Sequence, residues 1–93
     1  MTTVSLQIGN GDGKLSQAQW HAFVVEMKRL VERHSAKVHF FGAPENWREE
    51  QNVAFIFDIE AASTENLKSG VTHLRKHFGQ ESAAWTQGNT LFI

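Results

Sequence analysis

Asn52-Val53-Ala54-Phe55-Ile56-Phe57-Asp58-Ile59-Glu60 is the stretch on which the fold turns. Val53, Phe55, Phe57 and Ile59 alternate with Ala54, Ile56, Asp58 and Glu60, the period of two that marks a strand with one buried face. Upstream, Lys37 to Gly42 reads as a second strand, with Val38 and Phe40 inward and His39 and Phe41 on the opposite face. The loop between them starts at Ala43-Pro44-Glu45-Asn46 and holds the only proline. Downstream, Ser63 is placed to cap a helix whose apolar stripe is Leu67, Val71, Leu74 and Phe78, with Gly79 as its stop.

The chain opens with Val4, Leu6 and Ile8 alternating against Thr3, Ser5 and Gln7, another half-buried strand. Gly9-Asn10-Gly11-Asp12-Gly13 breaks it. Ser16 and Gln19 then have capping-box spacing, with Leu15 and Trp20 placed as a hydrophobic staple. Trp20, Phe23, Val24, Met27, Leu30, Val31 and His34 follow at helical spacing, so a helix is expected from about Gln17 to His34. At the other end, Glu81 to Thr86 reads as a strand, and Gln87-Gly88 as a turn into a short strand over Asn89 to Ile93.

The resulting order, β-α-β-β-α-β, predicts one α+β domain over residues 1–93: a ferredoxin-like sandwich with two helices on one face of an antiparallel sheet. The other face is then left open. On this phasing it carries His39, Phe41, Ala54 and Ile56, with either Trp85 or Phe92 from the end of the chain. Such a face is more apolar than water-facing sheets usually are, which leaves two readings: a covering partner or second copy of the chain, or a face covered by the chain's own tail or simply exposing isolated apolar residues.

Composition narrows the function classes. Nine Lys and Arg against ten Asp and Glu leave a formal charge of −1, so no general attraction to phosphate backbones or anionic lipid is expected. The absence of Cys removes disulfides and thiolate chemistry. No apolar run approaches the roughly 20 residues that span a bilayer, and Met1 to Lys14 lacks the pattern of a signal peptide. A cytoplasmic protein that neither spans nor binds a membrane is the expectation.

Each motif is weaker than its outline. Asn10 to Ser16 resembles the middle of a calcium loop, but Ile8 and Gln19 stand where the terminal carboxylates belong. The phosphate-loop pattern fails at Ile8 and Leu15. His73 and His77 lie one helical turn apart but lack a third ligand, so no metal or other cofactor is assigned. The element order also suits an RNA recognition motif, and Ala54, Phe55 and Ile56 match the middle of its signature. Gln51 and Asn52 replace its leading basic residue and glycine, and the near-neutral charge argues against nucleic acid as a partner. No nucleophile elbow or carboxylate pair is present, though Asp58, His39 and His73 have the chemistry to form a site if the fold joined them.

Three segments carry a resemblance: VSLQIGNGDGKLSQAQW, KVHFFGAPENWREEQNVAFIFDIE and QESAAWTQGNTLFI. Together they are similar to a family of small actinobacterial and actinophage proteins, with an IQIGN-type strand near the start and an AWT-x-G-x-T-L-F stretch at the end. The pattern departs at Arg48-Glu49-Glu50, which separate Trp47 from Gln51-Asn52. The resemblance supplies no catalytic residue. It agrees with what the uncovered sheet face and the lack of any complete site lead to expect: a non-catalytic interaction module, located in the host cytoplasm if phage-encoded, that docks a protein partner or forms a homodimer. The expected contact residues are His39, Phe41, Ile56 and Trp85, with Trp47 as a further anchor. The alternatives are an RNA- or single-stranded-DNA-binding domain through the same face, and a small-ligand-binding regulator or small enzyme.

Overall fold

The computed structural model describes residues 1–10, 13–44 and 51–93. Its elements are β1 (Thr2–Gly9), α1 (Gln17–His34), β2 (Lys37–Gly42), β3 (Asn52–Ile59), α2 (Ala61–His77) and β4 (Ala84–Gly88). The strands form one antiparallel sheet in the order β2-β3-β1-β4. The expected ferredoxin-like sandwich is therefore the fold. The β3 stretch does what its alternation requires: Val53, Phe55, Phe57 and Ile59 point beneath the helices and are buried. Opposite them in register stand Val4, Leu6 and Ile8 of β1. Phe23, Met27 and Val31 of α1 and Leu67 and Val71 of α2 close the core from above. Each such side chain stabilises the fold by about 1.5–3 kcal/mol when fully buried.

Helix α1 starts with the full capping box. Ser16 Oγ accepts from the Gln19 N–H at 3.2 Å, and Gln19 Oε1 accepts from the Ser16 N–H at 2.8 Å. Helix α2 ends in a glycine turn. Gly79 adopts φ +69°, its N–H donates to the Lys76 carbonyl, and the Gln80 N–H donates to the Arg75 carbonyl. The two helices approach closely at Gly70, where a Cβ would lie 3.0 Å from both methyls of Leu30.

Four local expectations are corrected. Helix α2 begins at Ala61 behind Glu60, so Ser63 sits inside the first turn and is not the cap. The last strand runs Ala84–Gly88 and includes Gln87 and Gly88. Those two residues pair with Val4 and Thr3, and that ladder with β1 outweighs the local turn preference of Gln-Gly. No strand follows over residues 89–93, so the terminal hairpin is not formed.

The third and fourth corrections concern phase. Between Val38 and Phe40 the β2–β3 register slips, since Val38 pairs with Phe57 and Phe40 already pairs with Ile56. His39 is the additional residue of a bulge, and every residue after it changes face. Phe40 therefore lies on the open face and Phe41 on the helix side, the reverse of strict alternation. Trp85 is likewise on the helix side, because it pairs with buried Leu6.

Candidate functional site

The open face is built from three rows of paired residues. Thr3 and Asp58 lie beside Lys37, Ser5 and Ile56 beside Phe40, and Gln7 and Ala54 beside Gly42. The Phe40 ring lies over Gly42, where an added Cβ would fall 2.6 Å from the ring. Phe40 remains 47% exposed, the largest apolar side chain open to solvent on this face. Ile56 is half-buried beside it.

At one end of the face a polar chain runs across three strands. Thr3 Oγ1 donates to Asp58 Oδ1 at 2.8 Å, and His39 Nε2 contacts Asp58 Oδ2 at 2.9 Å. An ionised carboxylate only accepts, so the His39 proton facing it sits on Nε2. These two donors, His39 first and then Thr3, hold the Asp58 carboxyl below its ordinary value of 3.8. His39 faces this side on simple alternation from Val38, and the bulge brings Phe40 to the same side. Thr3 donates to the carboxylate and not to the imidazole, so the group lacks the nucleophile–base bond of a hydrolytic triad. His73 does not join it: it lies on α2, in a groove lined by Arg29, Arg33 and Leu74.

The helix side holds a second candidate. A cleft of about 260 Å³ opens between α2 and β4. Leu6, Val71, Ala83 and Trp85 form its apolar wall, and Lys68, Thr72 and Arg75 its polar one. Trp85 meets Phe57 edge-on at 6.2 Å and donates its indole N–H to Gln87 Oε1 at 2.8 Å. The Lys68 ammonium lies 5.4 Å from the Trp85 ring centroid. Arg75 Nη1 donates to the Gln80 carbonyl at 3.1 Å, while the Gln80 N–H returns a bond to the Arg75 carbonyl, which fixes the guanidinium at the end of α2. A broader depression of about 480 Å³ on the outer side of α2, from Glu65 to Lys76, is lined by that one helix and has no opposing wall.

The expected site residues are therefore divided between two surfaces. His39 and Ile56 lie on the open face, as expected. Phe41 does not: it stacks on Phe55 at 5.1 Å, with the α1 Lys28 ammonium 5.0 Å from its ring. Trp85 lines the helix-side cleft, and Phe92 lies beyond β4 in the tail, 89% exposed. Trp47 is outside the described residues. Phe55 and Phe57 are fully buried under the helices, so they offer no stacking surface to a base.

Sequence reasoning passed over Lys68 and Arg75. Their seven-residue spacing on α2, flanking Val71, was a visible signal for one helix face, but its meaning depended on the phase of β4. Among the described residues there is no group of three side chains suited to a metal ion, and no helix is long and apolar enough to cross a membrane.

No family model and no curated protein matches the chain. Among solved structures, it is similar to a Deinococcus radiodurans protein described as a candidate antibiotic biosynthesis monooxygenase. The TM-score is 0.58 over 100% of this chain and 98% of that one, at 11% sequence identity. At that identity the likeness is one of fold, and the chain shares with this protein the ferredoxin-like α+β sandwich.

Proposed function

We propose that the chain is a small-ligand-binding domain, with its ligand seated in the cleft between α2 and β4. The observation that carries this reading is the concave, mostly apolar cleft walled by both a helix and a strand, with the cations Lys68 and Arg75 in its lining. Fold analogy with the Deinococcus protein supports the same class over a purely docking module. That neighbour's described activity suggests oxygenation of a bound organic molecule as a chemistry to assay, read as oxygen uptake that depends on the ligand.

A thermal-shift screen across metals, nucleotides, amino acids and aromatic acids tests the reading. A ligand that binds only the folded chain adds about 2.7 kcal/mol at a hundredfold excess over Kd. For a domain of this size that is a rise of about 10–20 °C in Tm. If no class raises Tm, the proposal fails.

A second reading, self-association or docking of a protein partner, draws on the open face. Phe40 is exposed there, and Leu91, Phe92 and Ile93 are 82%, 89% and 115% exposed at the chain's end. Replacing Phe40 and Ile56 together by Ser should reduce a dimer to a monomer in sedimentation velocity. Phe41→Ser should not do so selectively, because that ring packs against Phe55 on the helix side.

A further inference from the structure

We propose that the α2–β4 cleft takes a single-ring aromatic carboxylate, with its ring against Trp85 and its carboxylate on Lys68 and Arg75. This assignment rests on the ligand-binding reading above and narrows it to a chemical class.

Size sets the first limit. At about 260 Å³ the cleft lies just below the roughly 300–1,000 Å³ usual for drug-sized ligands, which favours a compact ligand such as one substituted ring. Surface chemistry sets the second. The apolar wall has Leu6 at its floor and half-buried Trp85 at its side, an arrangement that rewards an apolar, flat ligand.

Charge sets the third limit. Both ionic residues lining the cleft are cations. The carboxylate nearest Lys68 is Glu65, at 3.8 Å with its side chain 86% exposed, and it does not line the cleft. Arg75 has no carboxylate partner among the described residues, and its described bond goes to the Gln80 carbonyl. A guanidinium has five donors, so others remain for an anion. The Thr72 hydroxyl already donates to the Lys68 carbonyl at 3.0 Å and does not compete for the charge. Cationic ligands are repelled here. Inorganic phosphate gains nothing from the Trp85 wall, whereas an aryl carboxylate satisfies both walls at once.

The experiment is a ¹H–¹⁵N NMR titration of the full chain with sodium benzoate, with benzyl alcohol and inorganic phosphate as comparison probes at matched ionic strength. Benzoate should shift the Trp85 indole N–H saturably, and the two comparison probes should bind at least about tenfold more weakly. Lys68→Met should weaken benzoate by about tenfold with an otherwise unchanged spectrum, and Arg75→Lys should weaken it less, because the charge is kept. Equal affinity for benzyl alcohol, or no saturable movement of Trp85 at about 10 mM benzoate, ten times a millimolar Kd, overturns the assignment. A compound of another class that raises Tm and shifts the Trp85 indole N–H saturably, where benzoate does not, also overturns it and leaves the broader reading of a ligand in this cleft intact; one that shifts only residues remote from Trp85 overturns both.

Discussion

Replacing Asn10 by Ala should unfold the chain far more readily than any other single change to a polar side chain in the β1–α1 connection. Asn10, directly after β1, is 6% exposed and has a side chain wholly engaged. Its Oδ1 accepts from the Leu15 N–H at 3.0 Å, and its Nδ2 donates to the Leu15 carbonyl at 3.0 Å and to Gln51 Oε1 at 2.7 Å. Its own N–H donates to the Gln51 carbonyl at 2.8 Å. One amide thus ties the end of β1 to the entry of β3 and sets Leu15, 8% exposed, before the α1 cap.

Alanine leaves both backbone groups of Leu15 without a partner in a buried place. Each costs about 1–3 kcal/mol, so a loss near 3 kcal/mol is expected after partial access of water. A 93-residue chain has about 5–14 kcal/mol in all. At 4–8 °C per kcal/mol, Tm should fall by about 12–24 °C. Urea unfolding followed by far-ultraviolet circular dichroism measures it, and an unchanged m-value confirms that the folded state was weakened. Asn10→Asp should also destabilise, because a carboxylate accepts from the Leu15 N–H but donates nothing to its carbonyl. Gln17→Ala is the control: it removes the exposed end of the relay, where Gln51 Nε2 donates to Gln17 Oε1 at 2.6 Å, and should cost under about 0.5 kcal/mol. A loss within about 0.5 kcal/mol for Asn10→Ala would refute the reasoning.

Three further outcomes are expected. Asp58→Asn should lower Tm at neutral pH, and the gap to the parent should close in acid. The folded carboxyl titrates below its ordinary 3.8, so its contribution is present above that value and is lost as pH falls through the lower folded one; a gap constant with pH would exclude the His39 and Thr3 contacts as its source. Gly79→Ala, at φ +69°, should cost about 1–2 kcal/mol in the urea midpoint, and no loss would mean the left-handed turn at the end of α2 is not adopted. Ser16→Ala should cost about 1 kcal/mol by removing the acceptor for the Gln19 N–H, while Ser63→Ala, inside the first turn of α2, should change stability by less than half that.

Much of the fold was legible because it follows from local repeats. A period of two over Thr3–Ile8 and Val53–Ile59, a helical period over Trp20–His34, and the Ser16–Gln19 box are written in consecutive residues, and each reports which side of its own element is apolar. Element order then leaves few topologies. That was enough to place Val4, Leu6, Ile8, Phe55 and Phe57 in the core.

What alternation cannot reveal is where it is interrupted. His39-Phe40-Phe41 reads the same with or without a bulge, and only pairing with β3 shows that Val38 and Phe40 meet adjacent partners, which exchanges the faces of Phe40 and Phe41. The phase of β4 was hidden for the same reason. Ala83-Ala84-Trp85-Thr86 has little alternation of its own, and Trp85 is turned toward the helices because its backbone pairs opposite Leu6. With that phase, Trp85 meets Lys68 of α2 and lines one cleft with Arg75. Sequence by itself determined which segments become strands and helices, because those preferences act over a few neighbouring residues. The tertiary structure alone decided register and phase, because a strand's side chains take their face from hydrogen bonds to a partner strand far away in the chain.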